Sequence, residues 1–580
     1  MTTALLSFFS KLFNPVWLTG PLLDKELRVS SRRRRNYFLR FIYIALLSIF
    51  ILSTWYSTLA IRSSGSTVYQ ISRLSQAGKN IITGIVWFQF VVAQIVAIVM
   101  LSSSVSDEIR SGTLSVLMTT PINSFQIVTG KLLSKLLQLT LLLAISLPLL
   151  AIIRVFGGVP WDYIVASVCI TLTAAVLAGA LSLLLSMSYR YAHTVILVAI
   201  MAYLVVFGVL PGLFNLLAVK GIFIFDRQVT QSIIALTNPF WAFAATNAML
   251  LIQSGVPKFF SWPVHCLIML AVTAVLITIS VCRVRKAALC EAFGQSGKLW
   301  SGRALRRKGS GNIDNTGSQS PAGSSMESLR TIKPVTGQPI VWKEMRKGFV
   351  GRGKGDIAIS VLLIGTFIIT FVLLLFSSKR NIILPHYFVS GFYLVVMIRL
   401  AVLSAGSIAA EKEARTWPVL LATPLEDKEI VRGKAIAAFR RNIPLLLLYF
   451  VLLCAMYIRL YSLGSLAGSD GLLQILVLLA LVASGFMCSV LFVIGSGSYF
   501  GVRLKTTTAA VAATVGLYLV MTYLLCGMFN PLRILLYRMA LRRAGPWSYY
   551  AMTITFMLIQ AGIGLSLAQR AVRRLRRDIF

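Results

Sequence analysis

Apolar runs about 20 residues long constrain this chain more than any other feature, because each is long enough to cross the ~30 Å hydrocarbon core as a helix. Lipid admits only helices and closed barrels, since no water is present to pair with free backbone groups. Twelve runs occur, near residues 41–60, 82–104, 132–153, 163–187, 192–213, 263–283, 357–377, 387–408, 443–461, 472–496, 508–528 and 549–570. None shows the alternating ~10-residue pattern of a membrane barrel. Hydrophobic residues make up 57% of the 580 residues and charged residues only 13%, against about a quarter charged in soluble domains. The expected fold is all-α, a polytopic membrane protein with about twelve transmembrane helices.

The formal net charge is +38, from 56 Lys and Arg against 18 Asp and Glu. In a membrane protein this excess is read as loops facing anionic lipid, with membrane lipid as the partner and no nucleic acid. If the N-terminus is cytosolic, the inner loops and adjoining span ends hold 41 of the 56 basic residues and the outer side 14, with Arg399 deep in a span. The positive-inside rule therefore places both termini in the cytosol. The outer loop near 530–548, with Arg533, Arg538, Arg542 and Arg543, is the exception. The seven cysteines are scattered and read as packing residues, and His193, His265 and His386 lie too far apart to predict a metal site.

Residues 298–336 are polar and rich in Gly and Ser, the composition of a flexible linker. They divide the chain into six-span repeats at 1–297 and 337–580. The halves echo each other. Glu108 to Lys131 reads EIRSGTLSVLMTTPINSFQIVTGK and Glu411 to Lys434 reads EKEARTWPVLLATPLEDKEIVRGK, identical at ten of 24 positions without a gap. Chance would give about one or two matches, so the halves read as a duplication. Before the first span of each half, Pro21 to Arg28 parallels Pro339 to Arg346, aligning Lys25, Glu26 and Arg28 with Lys343, Glu344 and Arg346. Apolar residues mixed with basic ones at this place fit either an interfacial helix or a simple charged stop. Asn238-Pro239 and Asn530-Pro531 form a weaker third echo.

Both 24-residue copies fall between the second and third spans of their half. Leu114, Leu117 and Met118 stand at i, i+3 and i+4, one face of a helix, and Trp417, Leu420 and Leu421 repeat it. Pro121 and Pro424 end the short helix. Asn123 with Gln126 resembles a capping box for the helix that follows, and Asp427 is its expected N-cap in the second copy. The apolar face either packs on its own loop or docks into a partner's groove. Replacement of Gly112 by Arg415 and of Ser115 by Pro418 leads to the expectation that the second loop is shaped differently.

The pattern E-x4-T-x6-T-P-x5-IV-x-GK, preceded by P-x3-KE-x-R, resembles the permease subunits of type-2 ABC exporters. The resemblance covers both halves and implies two half-permeases fused in one chain. It implies that the interfacial segments, with Lys25, Glu26, Arg28, Lys343, Glu344 and Arg346, are connecting helices. It also implies that Glu108, Thr113, Leu114, Leu117, Met118 and Pro121, with Glu411, Thr416, Trp417, Leu420, Leu421 and Pro424, form coupling helices that insert into ATPase subunits. Two ATPase copies, ATP held by them and not by this chain, and a bacterial inner membrane are further expectations of the resemblance.

The chain has no G-x4-G-K-[ST] phosphate loop and no G-x-S-x-G elbow, so it is not expected to be an enzyme. Arg399 in an apolar span reads as a contact for an anionic cargo, a partner for an interhelical carboxylate, or a snorkelling side chain. Rival readings are a secondary transporter and a scaffold that relays ATPase work; the first is disfavoured because the carboxylates lie almost entirely outside the spans. The orientation has a direct check. In sealed cells a cysteine replacing Ser320 should resist an impermeant thiol reagent, and one replacing Ser64 should react; labelling at position 320 would reverse the assignment.

Overall fold

A computed structural model describes residues 28, 37, 40–41, 43–45, 47–48, 51, 67–148 except 121, 150–151, 154, 158–189, 192–219, 227–249, 260–292, 337–345, 354–375, 383–462, 471–525 and 547–576. Every regular element among them is helical. In the first half, α1 (Thr67–Ser102) leads through the short helices α2 (Ser106–Ser111) and α3 (Thr113–Met118) to α4 (Ser124–Ala144). α5 (Trp161–Ser186), α6 (Ala192–Leu204), α7 (Leu210–Val219), α8 (Arg227–Thr237), α9 (Pro239–Asn247) and α10 (Trp262–Ala292) follow. The second half begins with α11 (Pro339–Met345) and α12 (Lys354–Leu375), then α13 (Ile383–Glu413), the short α14 (Trp417–Leu421) and α15 (Asp427–Ser462). It ends with α16 (Gly471–Arg503), α17 (Thr507–Leu519) and α18 (Trp547–Arg574).

Among the described residues, 8 helices are long and apolar enough to cross a membrane, five in the first half and three in the second. Leu363–Val372 and Thr507–Thr522 are shorter apolar helices at the expected seventh and eleventh spans. The expected twelve is therefore not reached. The first span, 41–60, lies largely outside the described residues, as does the linker 298–336. α18 covers the twelfth. The third span follows the expected helix start. Its helix starts at Ser124, where the capping box of Asn123 and Gln126 places it, well ahead of the apolar run.

The halves meet where α6 packs on α12 and α13. Ile196 and Met201 there share a core with Leu363, Phe392 and Val396. In each half the helix of the fifth span gives 13 α-helical residues and then a π-helical stretch, Val205–Val209 after α6 and Val520–Leu525 after α17. A π-turn shifts the hydrogen-bond register and needs outside partners. In the first half Asn238 supplies one: its Nδ2 donates to the Phe207 carbonyl, while its Oδ1 accepts from Phe240 N at 2.8 Å and so caps α9. Pro239 follows at the first helical position, where its missing N–H is harmless. The Asn530-Pro531 echo lies outside the described residues.

Small residues set the closest crossings in the second half. A Cβ on Gly495 of α16 would stand 1.9 Å from the Gly564 carbonyl of α18, and one on Gly497 would stand 2.0 Å from Ser404 Oγ of α13. Gly497 and Gly501 form a G-x3-G pair along the α13 contact, a spacing that lets helix backbones approach in lipid. Gly495→Val should therefore lower the melting temperature in detergent, by an amount near the upper end of the ~1–3 kcal/mol of overpacked cores. Gly516→Ala, with nothing within 4 Å of the added Cβ, should not lower it; equal behaviour of the two variants would refute the backbone-contact assignment.

Candidate functional site

The duplicated 24-residue segments fold into matching loops, each built on a buried lysine. In the first, Lys131 Nζ lies 2.5 Å from Glu108 Oε1 and donates to the Ser104 carbonyl at 2.7 Å. In the second, Lys434 Nζ lies 3.1 Å from Glu411 Oε1 and donates to the Ser407 carbonyl at 2.7 Å. The side chains of Lys131 and Lys434 are only 3% and 2% exposed. An ammonium taken out of water costs several kcal/mol before compensation, so it holds its carboxylate partner tightly in place. Glu108 and Glu411 lie where α1–α2 and α13 end. The lysines stand in the opening turns of α4 and α15. Each pair thus joins the two ends of its loop.

From that foot the chain turns in the same way twice. Gly112 has φ 73° and Arg415 φ 57°, both left-handed. At the end of α13, Arg415 N donates to the Lys412 carbonyl at 3.1 Å and Thr416 N to the Glu411 carbonyl at 3.0 Å, the two bonds of a Schellman cap. In the first copy Gly112 N donates to the Glu108 carbonyl. Thr113 Oγ1 and Thr416 Oγ1 then donate to the same Glu carbonyls, at 3.5 and 3.3 Å, which accounts for the repeated E-x4-T. At the far end Thr120 and Thr423 hydroxyls donate to the Leu117 and Leu420 carbonyls at 2.5 and 2.6 Å. The expectation of a differently shaped second turn is thus corrected: Arg415 takes up the glycine conformation, at about 1 kcal/mol for a left-handed non-glycine residue.

The short helices α3 and α14 turn much of their apolar stripe inward. Leu114 is buried with Leu101, Val105, Val128 and Val284. Trp417 is buried with Ile340, Ile408, Ile430, Tyr499 and Leu575, with Leu420 and Leu421 partly buried beside it. Leu117 is half-buried, and Pro424 is exposed. The apolar residues facing outward are Val116, 64% exposed, and Val419, 70% exposed, at matching positions. Periodicity identified a stripe correctly but could not tell its inward side from its outward one. Met118 is inside α3 with its side chain undescribed, and Pro121 lies outside the described residues.

α11 forms the expected short helix ahead of the seventh span, packed on α15. Ile340, Val341 and Glu344 are buried, and a Cβ on Gly433 would meet Ile340 Cβ at 2.9 Å. Its charges enter the second foot: Lys343 Nζ lies 3.2 Å from Glu411 Oε1 and Glu344 Oε1 3.8 Å from Lys434 Nζ. Arg28 is exposed. Lys25, Glu26 and Arg346 lie outside the described residues.

Three further contacts were missed from the sequence. Glu413 Oε1 accepts from Thr507 N at 2.7 Å, capping α17. Asp427 is the first residue inside α15 rather than its N-cap, and its carboxylate accepts from Arg576 Nε at 2.9 Å. The Lys412 ammonium donates to the Val502 carbonyl. Arg399 is buried in α13 and is partnered within the protein.

Several helices long and apolar enough to cross a membrane, with a short helix and duplicated loops on buried ion pairs at their ends, define a multi-pass membrane protein. The chain belongs to the ABC-2 family of transporter proteins, whose signature it matches over residues 21–289 and 372–554. This is a family of membrane transport components, not of catalysts. No curated protein matches the chain.

Removing one partner of a buried pair strands the other, at about 3–5 kcal/mol. Lys131→Met and Lys434→Met should each lower the melting temperature sharply. Pairing Lys131→Met with Glu108→Gln should recover part of the loss. Lys343→Ala, at a side chain 57% exposed, should cost less than about 1 kcal/mol. Thermal unfolding of the four variants in detergent checks the ranking.

Proposed function

We propose that this chain is the membrane permease of an ABC exporter: two fused six-span halves, twelve spans in all, both termini in the cytosol of a bacterial inner membrane. Two copies of a separate ATPase subunit drive it. ATP binds and is hydrolysed in those subunits, since the sequence has no phosphate loop of its own. The observation that carries this reading is the outward valine at the same place in both loops, Val116 and Val419, each on a short helix anchored to two spans.

In this reading α3 and α14 are the coupling helices. Their inward residues, Leu114 and Trp417, seat each helix in the core of its own half. Their outward residues enter a cleft of the ATPase. Movement of that cleft then shifts α1 with α4, and α13 with α15, as units, because the buried lysines tie each loop shut. α11 follows in the second half through Lys343 and Glu344. The cargo is lipid-like, polysaccharide or amphipathic. Arg399, in one of the second-half helices that meet α6, is the candidate contact for an anionic cargo or the holder of that helix.

The test begins with the chain purified from its native membranes. An ATPase bearing a phosphate loop should co-purify, and the separated chain should bind no ATP. Val116→Asp and Val419→Asp should leave the fold intact, since both positions are exposed. Each should weaken ATPase association by roughly tenfold, the equivalent of one lost apolar side chain, and the double variant should abolish it together with transport. Leu114→Asp should instead unfold its half, because a charge would be buried unpaired. Full ATPase association by the double valine variant would overturn the docking assignment. Saturable ATP binding by the isolated chain would overturn the division of labour.

A further inference from the structure

Arg415 is the one non-glycine residue among the described residues with a positive φ. Its counterpart in the first half, Gly112, makes the same turn without a side chain. The turn therefore does not require an arginine, and the backbone would be relaxed by a glycine there. A strained residue retained where a neutral solution exists in the same chain directs attention to its side chain.

That side chain is exposed and makes no hydrogen bond or ion pair among the described residues. The charged groups around it are otherwise engaged. Glu411 holds Lys434 and Lys343, Glu413 caps α17 through Thr507, and Asp427 holds Arg576. Lys412 donates to Val502 and lies 5.9 Å from the Trp417 ring centroid. Arg415 is left as an uncommitted guanidinium, four residues before the exposed Val419. The first loop has an exposed valine at the same place and a glycine at the turn, with its nearest arginine, Arg110, two residues earlier.

We infer that Arg415 makes the second loop a charge-reading docking site: it takes a carboxylate on the ATPase subunit, beside the cleft that receives Val419, a contact for which the glycine at the first turn has no side chain. The two ATPase positions on this permease are then unequal in strength and in salt dependence. The inference rests on the docking reading above and adds to it the chemistry of the partner surface. A guanidinium suits this role because it stays charged at any physiological pH and can grip a carboxylate through two parallel bonds.

The experiment uses the full chain in nanodiscs and the ATPase identified by co-purification. The ATPase is titrated against wild type, Arg415→Gly, Arg415→Lys and Arg415→Glu, at low and high salt, in uncharged lipid and in lipid with added phosphatidylglycerol. Arg415→Gly should weaken binding about threefold to tenfold at low salt, and the difference should shrink at high salt. Arg415→Glu should weaken it more and Arg415→Lys less. The melting temperature of Arg415→Gly should not fall. In the Arg415→Lys variant, a carbodiimide should cross-link the new amine to an Asp or Glu of the ATPase, located by mass spectrometry. Unchanged affinity and salt response in Arg415→Glu would overturn the inference while leaving valine docking standing. So would an effect seen only with phosphatidylglycerol, which would assign Arg415 to lipid headgroups. An effect on melting temperature alone would reduce it to a partner of the α13 dipole. If wild type itself bound no ATPase, the docking reading would fail first, and the two failures are thereby distinct.

Discussion

A lysine buried under each inter-span loop is the interaction on which the rest of the loop architecture depends. Burial makes the ammonium intolerant of displacement, so Lys131 and Lys434 fix Glu108 and Glu411. The glutamate positions are where the preceding helices end, and their carbonyls receive the hydrogen bonds of the left-handed turn. The turn in turn sets the direction of the short helix. That direction decides that Leu114 and Trp417 face the spans and that Val116 and Val419 face away. A chain of local constraints, each enforced by one bond type, thus leads from a charge in a low-dielectric site to the apolar residue presented at the surface. In isolation a helix of five or six residues would not hold its shape. Here it is clamped at its base and plugged by its own large side chain.

The second half adds a further body to this block. Gly433 lets Ile340 of α11 approach the α15 backbone, and Glu344 and Lys343 complete a four-charge cluster with Glu411 and Lys434. Alternating signs within the cluster mean that no single charge is left to bear its desolvation alone. The α11 segment, α13, α14 and α15 therefore have one shared hub. Displacing α14 without dragging α11 would require separating charges in a poorly hydrated place, which is the more costly path.

Much of this was legible in the sequence, and the reasons are physical. Crossing lipid demands long apolar runs, so the helices announced themselves. Duplication demands matched residues, and several of the ten identities prove to be the structural bonds: Glu108 with Lys131, Glu411 with Lys434, and the threonines at either end of the short helices. What the sequence did not disclose was pairing and direction. The Glu–Lys contacts span 23 residues, and no local periodicity links positions so far apart. An apolar stripe on a five-residue helix is compatible with packing or docking, and only the position of Trp417 against Tyr499 and Leu575 separates them. Arg415 was misread because a glycine-to-arginine change usually signals a changed turn, whereas the tertiary clamp here overrides that preference. Eight of the expected spans are matched by long apolar helices among the described residues, and the first expected span lies largely outside them.

The π-helical stretches show how the same logic runs through the helices themselves. Each follows 13 α-helical residues of the fifth span in its half. Inside lipid a carbonyl released from its helix must find another donor or bear the full cost of being unpaired. For Phe207 the donor is Asn238, which is itself fixed as the cap of α9. The break is thus secured by a residue outside the helix, and α9 and α6 are locked to each other by one amide. The Val205–Val209 stretch also packs against α12 of the other half. The place where the helix departs from its regular register is therefore also a place where the two halves touch. Asn238 thereby joins the irregular stretch to the cap of α9 at a place where the two halves touch.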